Sequence, residues 1–236
     1  MNKKIIMIIP IIVLLIGLVI GIIYRKNYNY IKTDSYKFKK EYESLNNKEN
    51  DYGKTYKSVS IDRNNRIIYS TAKEIVEKTE NKETFIVYFG FNKCPWCRSM
   101  VENLVDLSIE NNMDIYYVDV LDIRDTIEVV EGNLKTTKDG DEYYMKLIEL
   151  YGNVLDEYIV YNGEDSINTG EKRIYAPNVI AIINGKAEEK VEGISEELED
   201  PYGTITKKMN EQSIKQLKCI FKCISEAGIC TNSMSC

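Results

Sequence analysis

The sequence predicts an α/β fold: a mixed sheet flanked by helices, with a helical insertion and an N-terminal transmembrane helix. Three observations carry this. The apolar run Phe85-Ile86-Val87-Tyr88-Phe89 leads into Cys94-Pro95-Trp96-Cys97 and a helical pattern from Ser99 to Ile109. A second strand-like run, Asp114 to Val120, follows, so at least part of the sheet is parallel. Residues 176–183 and 186–191 are two strand-like runs joined by Asn184-Gly185, a strong hairpin signal. Ile5 to Ile23 is a stretch of 19 residues without a charge. As a helix it reaches about 29 Å, enough to cross a hydrocarbon core.

In chain order, residues 1–23 read as a membrane anchor. The exit from the apolar run, Gly21-Ile22-Ile23-Tyr24-Arg25, has no small-x-small cleavage site, which favours an uncleaved helix over a signal peptide. No cysteine follows the run to take a lipid. Sidedness is contested within the sequence. Arg25, Lys26, Lys32, Lys37, Lys39 and Lys40 follow the helix, and the positive-inside rule would place the domain in the cytoplasm. Long domains translocate largely regardless of charge, and an even count of six cysteines suits an oxidising compartment. The expectation is a single-pass membrane protein with an extracytoplasmic domain. Residues 24–60, rich in Lys, Asn, Tyr, Glu and Ser, read as a polar spacer.

The folded domain is expected over 61–215. Arg66 to Tyr69 is a short strand, and Ser70 or Thr71 caps a helix through Lys78, with Glu74 placed for a capping box. Thr84 to Gly90 is apolar enough for a strand covered on both faces. Two helices are predicted in the middle, around Thr126–Leu134 and Glu142–Leu150, split by Lys138-Asp139-Gly140. Tyr158–Tyr161 and Lys172–Tyr175 flank a loop rich in Gly, Asn and Asp. The last helix, Ile205 to Glu226, carries Ile214, Leu217, Phe221 and Ile224 at helical spacing and leads into a Cys-rich tail, 216–236.

A Cys-x-x-Cys at a strand-to-helix junction can cycle between dithiol and disulfide. Cys94 falls at the helix N-terminus, where unpaired N–H groups and the macrodipole favour a thiolate. Lys93 and Arg98 add positive charge nearby. Cys97, one turn further in, is placed to resolve a mixed disulfide on Cys94. A structural disulfide or half a zinc knuckle is the plainer alternative.

Other chemistries are narrowed by composition. There is no histidine, which removes Ser-His-Asp and Cys-His catalysis and imidazole-dependent zinc sites. A net charge of −6 argues against nucleic acid as a partner. No metal or cofactor is called for at the Cys pair.

Over roughly residues 62–215 the chain resembles the thioredoxin superfamily. The segments that carry this are Tyr88-Phe89-Gly90-Phe91-Asn92-Lys93-Cys94-Pro95-Trp96-Cys97 and Tyr175-Ala176-Pro177-Asn178-Val179. The anchor, the Cys-Pro-Trp-Cys centre and the long insertion are similar to the membrane-anchored bacteriocin transport accessory proteins of Gram-positive bacteria. The resemblance implies that Pro177 is the cis-proline beside the active-site sulfurs. It also implies that the Ala176 backbone pairs with an extended substrate, and that Trp96 either faces substrate or covers the disulfide. One departure is clear. Thioredoxins carry a buried acid six residues before the first cysteine, where this chain has Tyr88.

The function implied is a thiol–disulfide oxidoreductase that is membrane-anchored and extracytoplasmic. Its partners would be protein or peptide thiols and disulfides, with a possible membrane redox partner. The alternative is a non-catalytic accessory module for peptide export. Cys219, Cys223, Cys230 and Cys236 are expected to form structural disulfides stapling the last helix to its tail. Four cysteines allow three pairings. A four-thiolate zinc site and an internal redox relay with Cys94 are the other readings.

Overall fold

The computed structural model of the chain describes residues 3–163 and 165–226, with side chains from residue 14 onward. It is a mixed α/β structure. The N-terminal run forms one helix, α1 (Lys3–Tyr30). Among the described residues, no helix is long and apolar enough to cross a membrane. From Leu14 to Ile23 the large apolar side chains of α1 stand exposed.

The central sheet has five strands: β1 (Ile67–Tyr69), β2 (Phe85–Gly90), β3 (Ile115–Asp119), β8 (Asn178–Ile183) and β9 (Lys186–Val191), in the spatial order β1-β3-β2-β8-β9. The first three are mutually parallel; β8 runs antiparallel to β2, and β9 to β8. Successive parallel strands of one sheet need crossovers. α3 (Ala72–Glu80) supplies the one from β1 to β2 and α4 (Pro95–Glu110) the one from β2 to β3. Thr71 caps α3 in the expected capping box with Glu74. Asn184 and Gly185 both take positive φ in the β8–β9 turn, as a two-residue hairpin requires. A Cβ on Gly185 would also lie 2.2 Å from the Thr79 carbonyl oxygen.

All six residues of β2 are buried. Successive strand side chains point to opposite faces, so β2 supplies two cores. Ile86 and Tyr88 join the layer built by α4, by α2 (Asp34–Glu43) and by α6 (Lys207–Ser225). Phe85, Val87 and Phe89 join the opposite layer with α3 and α5 (Glu142–Tyr151).

The expected spacer is structural instead. Thr33 caps α2, and Phe38 and Tyr42, four residues apart on one helix face, are fully buried in the first core. Val59 and Ile61 join them. Burying an aromatic side chain of this kind contributes about 1.5–3 kcal/mol toward holding the segment on the sheet. The folded unit therefore begins near residue 34, not 61. It also runs beyond 215: Leu217, Ile220, Phe221 and Cys223 of α6 are buried in the same core.

The insertion between β3 and β8 is only partly helical. The predicted helix over Thr126–Leu134 is a β-hairpin, β4 (Thr126–Val130) and β5 (Asn133–Lys138). Its turn uses Glu131 and Gly132 at positive φ, and its Thr, Ile and Val residues favour strand. α5 forms where a helix is expected. A second hairpin, β6 (Asp156–Asn162) and β7 (Asp165–Arg173), replaces the expected loop and its flanks. Arg173 anchors it through a buried ion pair with Asp125 at 3.1 Å.

Candidate functional site

The site lies where β2 ends and α4 begins. Cys94 is the N-cap of α4, its N–H donating to the Phe91 carbonyl at 3.1 Å. Pro95 takes the first helical position, where a missing N–H costs nothing and a fixed φ is already helical. The Cys97 N–H donates to Cys94 Sγ at 3.1 Å. The Cys94 sulfur thus occupies the positive end of a 16-residue helix, as an N-cap acceptor does. Its own S–H donates to the Ala176 carbonyl at 3.3 Å. Both cysteines are unbonded; Cys94 is 3% exposed and Cys97 is fully buried.

Burial pushes the Cys97 thiol well above the ordinary range, and the neighbouring Cys94 pushes it further. The Phe91 backbone and the Tyr88 hydroxyl act in the opposite direction. Cys97 is therefore the protonated, inner partner of the pair.

The Ala176–Pro177 bond is cis. Asn178 braces this segment: its Oδ1 accepts from the Tyr175 N–H at 3.0 Å and its Nδ2 donates to the Pro177 carbonyl at 2.9 Å. The Tyr175 hydroxyl reaches β6, accepting from the Ile159 N–H at 2.9 Å and donating to the Glu157 carbonyl at 3.1 Å. Beside the proline lies a groove of about 330 Å³, lined by Trp96, Ala176, Pro177, Ile194 and Leu198 among others. Trp96 is half-buried against the core and forms part of this groove wall. The Ala176 carbonyl, expected to be available to a substrate, is engaged by the reduced Cys94 thiol.

The two cations expected to stabilise the thiolate differ. Lys93 is exposed in the loop before Cys94. Arg98 is 1% exposed and serves structure. Its guanidinium donates to the carbonyls of Lys57 at 2.7 Å, Tyr42 at 2.9 Å and Asn92 at 3.3 Å, and to Asn46 Oδ1 at 2.7 Å. These bonds tie α4 to residues 42–57 and turn the fork mainly to backbone acceptors.

Sequence reasoning missed what stands behind Cys97. The Tyr88 hydroxyl lies 2.8 Å from that of Tyr42, and both residues are fully buried. Tyr88 also stacks on Tyr117, ring centroids 5.3 Å apart. Gly90 makes the room: a Cβ there would lie 2.4 Å from the Tyr88 oxygen. Further out, Glu41 accepts hydrogen bonds from Tyr69 and, at 3.4 Å, from Tyr117; burial raises its carboxyl pKa. The available signal was Phe38-x-x-x-Tyr42 at helical spacing after the capping residue Thr33.

Of the tail cysteines, Cys219 donates to the Lys215 carbonyl at 3.5 Å and Cys223 is disulfide-bonded. Cys230 and Cys236 lie outside the described residues, and with them the expected pairing. Among the described residues no group of three or more Cys, Asp or Glu side chains is arranged to hold a metal ion. The chain matches no protein-family model and no curated protein.

Proposed function

We propose that the protein is a thiol–disulfide oxidoreductase of the thioredoxin-like kind, anchored in a membrane by α1 and working on its extracytoplasmic side. The observation that carries the reading is Cys94 as the N-cap of α4, hydrogen-bonded by the Cys97 N–H and facing the cis Ala176–Pro177 bond. The sheet order, the two parallel crossovers and the β8–β9 hairpin support the likeness in fold. The anchor rests on the uncharged run Ile5 to Ile23 in the sequence, whose large apolar side chains from Leu14 to Ile23 stand exposed.

In this reading the Cys94 thiolate attacks a client disulfide. A Cys94–client bond forms and the first client thiolate leaves. Cys97 then attacks Cys94 Sγ; the Cys94–Cys97 bond forms and the second client thiolate leaves. The client gains two electrons and two protons, and the enzyme becomes the disulfide. Run in reverse, the same steps oxidise a client dithiol. Loss of the Cys94 proton also releases the Ala176 carbonyl, which then accepts from the backbone of an extended client. By analogy with the bacteriocin accessory proteins, the client is a secreted, disulfide-bearing peptide.

The rival reading, an accessory module for peptide export with an inert Cys pair, draws on the 3% exposure of Cys94. Cys97→Ser separates the two. Without the resolving thiol, Cys94 should accumulate mixed disulfides in cells, visible on non-reducing gels, and Cys94→Ser should not. Absence of adducts in both variants supports the accessory module.

A further inference from the structure

Cys97 faces a difficulty that the pair alone does not solve. Its sulfur must carry negative charge when it attacks, or when it leaves, in a site without water access. An isolated buried thiolate is costly. Among the described residues no carboxylate is among the groups that act on it; Tyr88 of β2 and Tyr42 of α2 lie buried in the same core as Cys94 and Cys97, with the two hydroxyls in contact, and the Phe91 backbone is the other polar group beside it. Tyr117 stacks on Tyr88, the Arg98 guanidinium is held by backbone carbonyls, and Glu41 stands beyond Tyr117.

We propose that Tyr88 is a catalytic hydrogen-bond donor to the Cys97 thiolate, and that Tyr42 positions it by donating in turn to the Tyr88 oxygen. This role rests on the redox reading of the Cys pair and adds residues to it. Two hydroxyls 2.8 Å apart share one hydrogen bond, and either can be its donor. If Tyr88 donates, its proton points at Tyr42 and Cys97 receives nothing. If Tyr42 donates, the Tyr88 proton is released toward sulfur. A thiolate offers no proton and accepts one, so it selects the second arrangement. Burial holds both phenols neutral, so each keeps its proton and neither acts as a base. In the resolving step the Cys97 proton passes to the departing client thiolate, the Cys94–Cys97 bond forms, and the tyrosines change only the direction of their hydrogen bonds. Gly90 belongs to the device, because any side chain there would strike the Tyr88 oxygen.

The test reads the Cys97 thiol directly. In a Cys94→Ser background, iodoacetamide labelling of Cys97 is followed against pH by peptide mass spectrometry, with Tyr88 intact and with Tyr88→Phe. A hydrogen bond to a charged group corresponds to roughly a ten- to hundredfold change in thiolate population. The labelling midpoint should therefore move up by about one to two pH units. Tyr42→Phe, which leaves Tyr88 unoriented, should move it the same way by less. In the otherwise native protein, Tyr88→Phe should slow collapse of a preformed Cys94 mixed disulfide by a similar factor. An unchanged or lower midpoint in Tyr88→Phe would overturn the proposal. If Tyr88→Phe fails to fold, Tyr42→Phe carries the test, and an unchanged midpoint there overturns it equally. A wild-type protein that never exchanges disulfides refutes the redox reading instead; the labelling midpoints do not depend on it.

Discussion

Arg98, one residue beyond the inner cysteine, donates to Asn46 Oδ1 at 2.7 Å. That bond joins α4 to a segment whose composition alone suggests solvent. Asn46 is held in place from its other side, because its Nδ2 donates to the Val59 carbonyl at 2.7 Å and its Oδ1 also accepts the Val59 N–H at 2.9 Å.

Arg98→Ala should therefore destabilise the whole domain. It strands the Lys57 carbonyl and takes one of the donors from the Tyr42 carbonyl, which keeps the Leu45 N–H, and a buried unsatisfied acceptor costs about 1–3 kcal/mol. We expect a total loss of about 3 kcal/mol or more, read as a lower denaturant midpoint. Arg98→Lys should recover little, because one ammonium cannot span the fork. A loss below about 1 kcal/mol would show that the residue is not the staple.

Cys94 should be labelled before Cys97 when the reduced protein is alkylated near neutral pH. The raised Cys97 pKa keeps that sulfur protonated there. The same shift makes stability pH-dependent. A group whose folded pKa is raised contributes stability below its unfolded value, about 8.5 for a thiol, and loses it as pH climbs toward the folded value. The buried phenols of Tyr42 and Tyr88 act in the same sense above about pH 10. Denaturation midpoints should fall steadily on the alkaline side, and Cys97→Ala should remove the part nearest about pH 8.5.

Protease added to intact protoplasts should remove the domain and leave the N-terminal segment with the cells. Protection that lysis abolishes would show that the run of lysines and arginine after Ile23 is the better guide to sidedness.

Replacing Cys219, Cys223, Cys230 and Cys236 with serine should lower thermal stability while disulfide exchange survives at a permissive temperature. Short loops closed by a disulfide contribute roughly 2–3 kcal/mol each, less any strain. Steady melting with lost turnover would point to a relay through the tail, and loss of bound zinc to a metal site.

The parallel β-α-β unit, the capping box at Thr71 and the Asn184-Gly185 hairpin were legible because each depends on local chemistry: an apolar run, a side chain returning to its own backbone, a positive φ. The Cys94–Cys97 geometry was legible for the same reason. Pro177 came from resemblance, and its cis bond is present. The failures were tertiary. The Thr126–Val130 segment has charges and apolar residues that fit either period, and pairing with β5 decides it. In residues 34–61 the few large side chains are outnumbered by Lys, Asn and Glu, so composition hid a helix whose Phe38 and Tyr42 reach the centre of the core. The sequence offers Arg98 as a positive charge beside the Cys pair, because nothing in its own neighbourhood reveals acceptors 41 to 56 residues away.

The end of α1 is not loose. Tyr30 packs edge-on against Tyr36, with ring centroids 5.3 Å apart, and the Arg63 guanidinium lies 4.1 Å from the Tyr30 ring centre. Only residues 31–33 separate α1 from α2. On the proposed anchoring, the reactive sulfur has no leash. On that reading it would work at one height above the bilayer, and clients would bring their cysteines to that plane, as a peptide does while still emerging from the membrane.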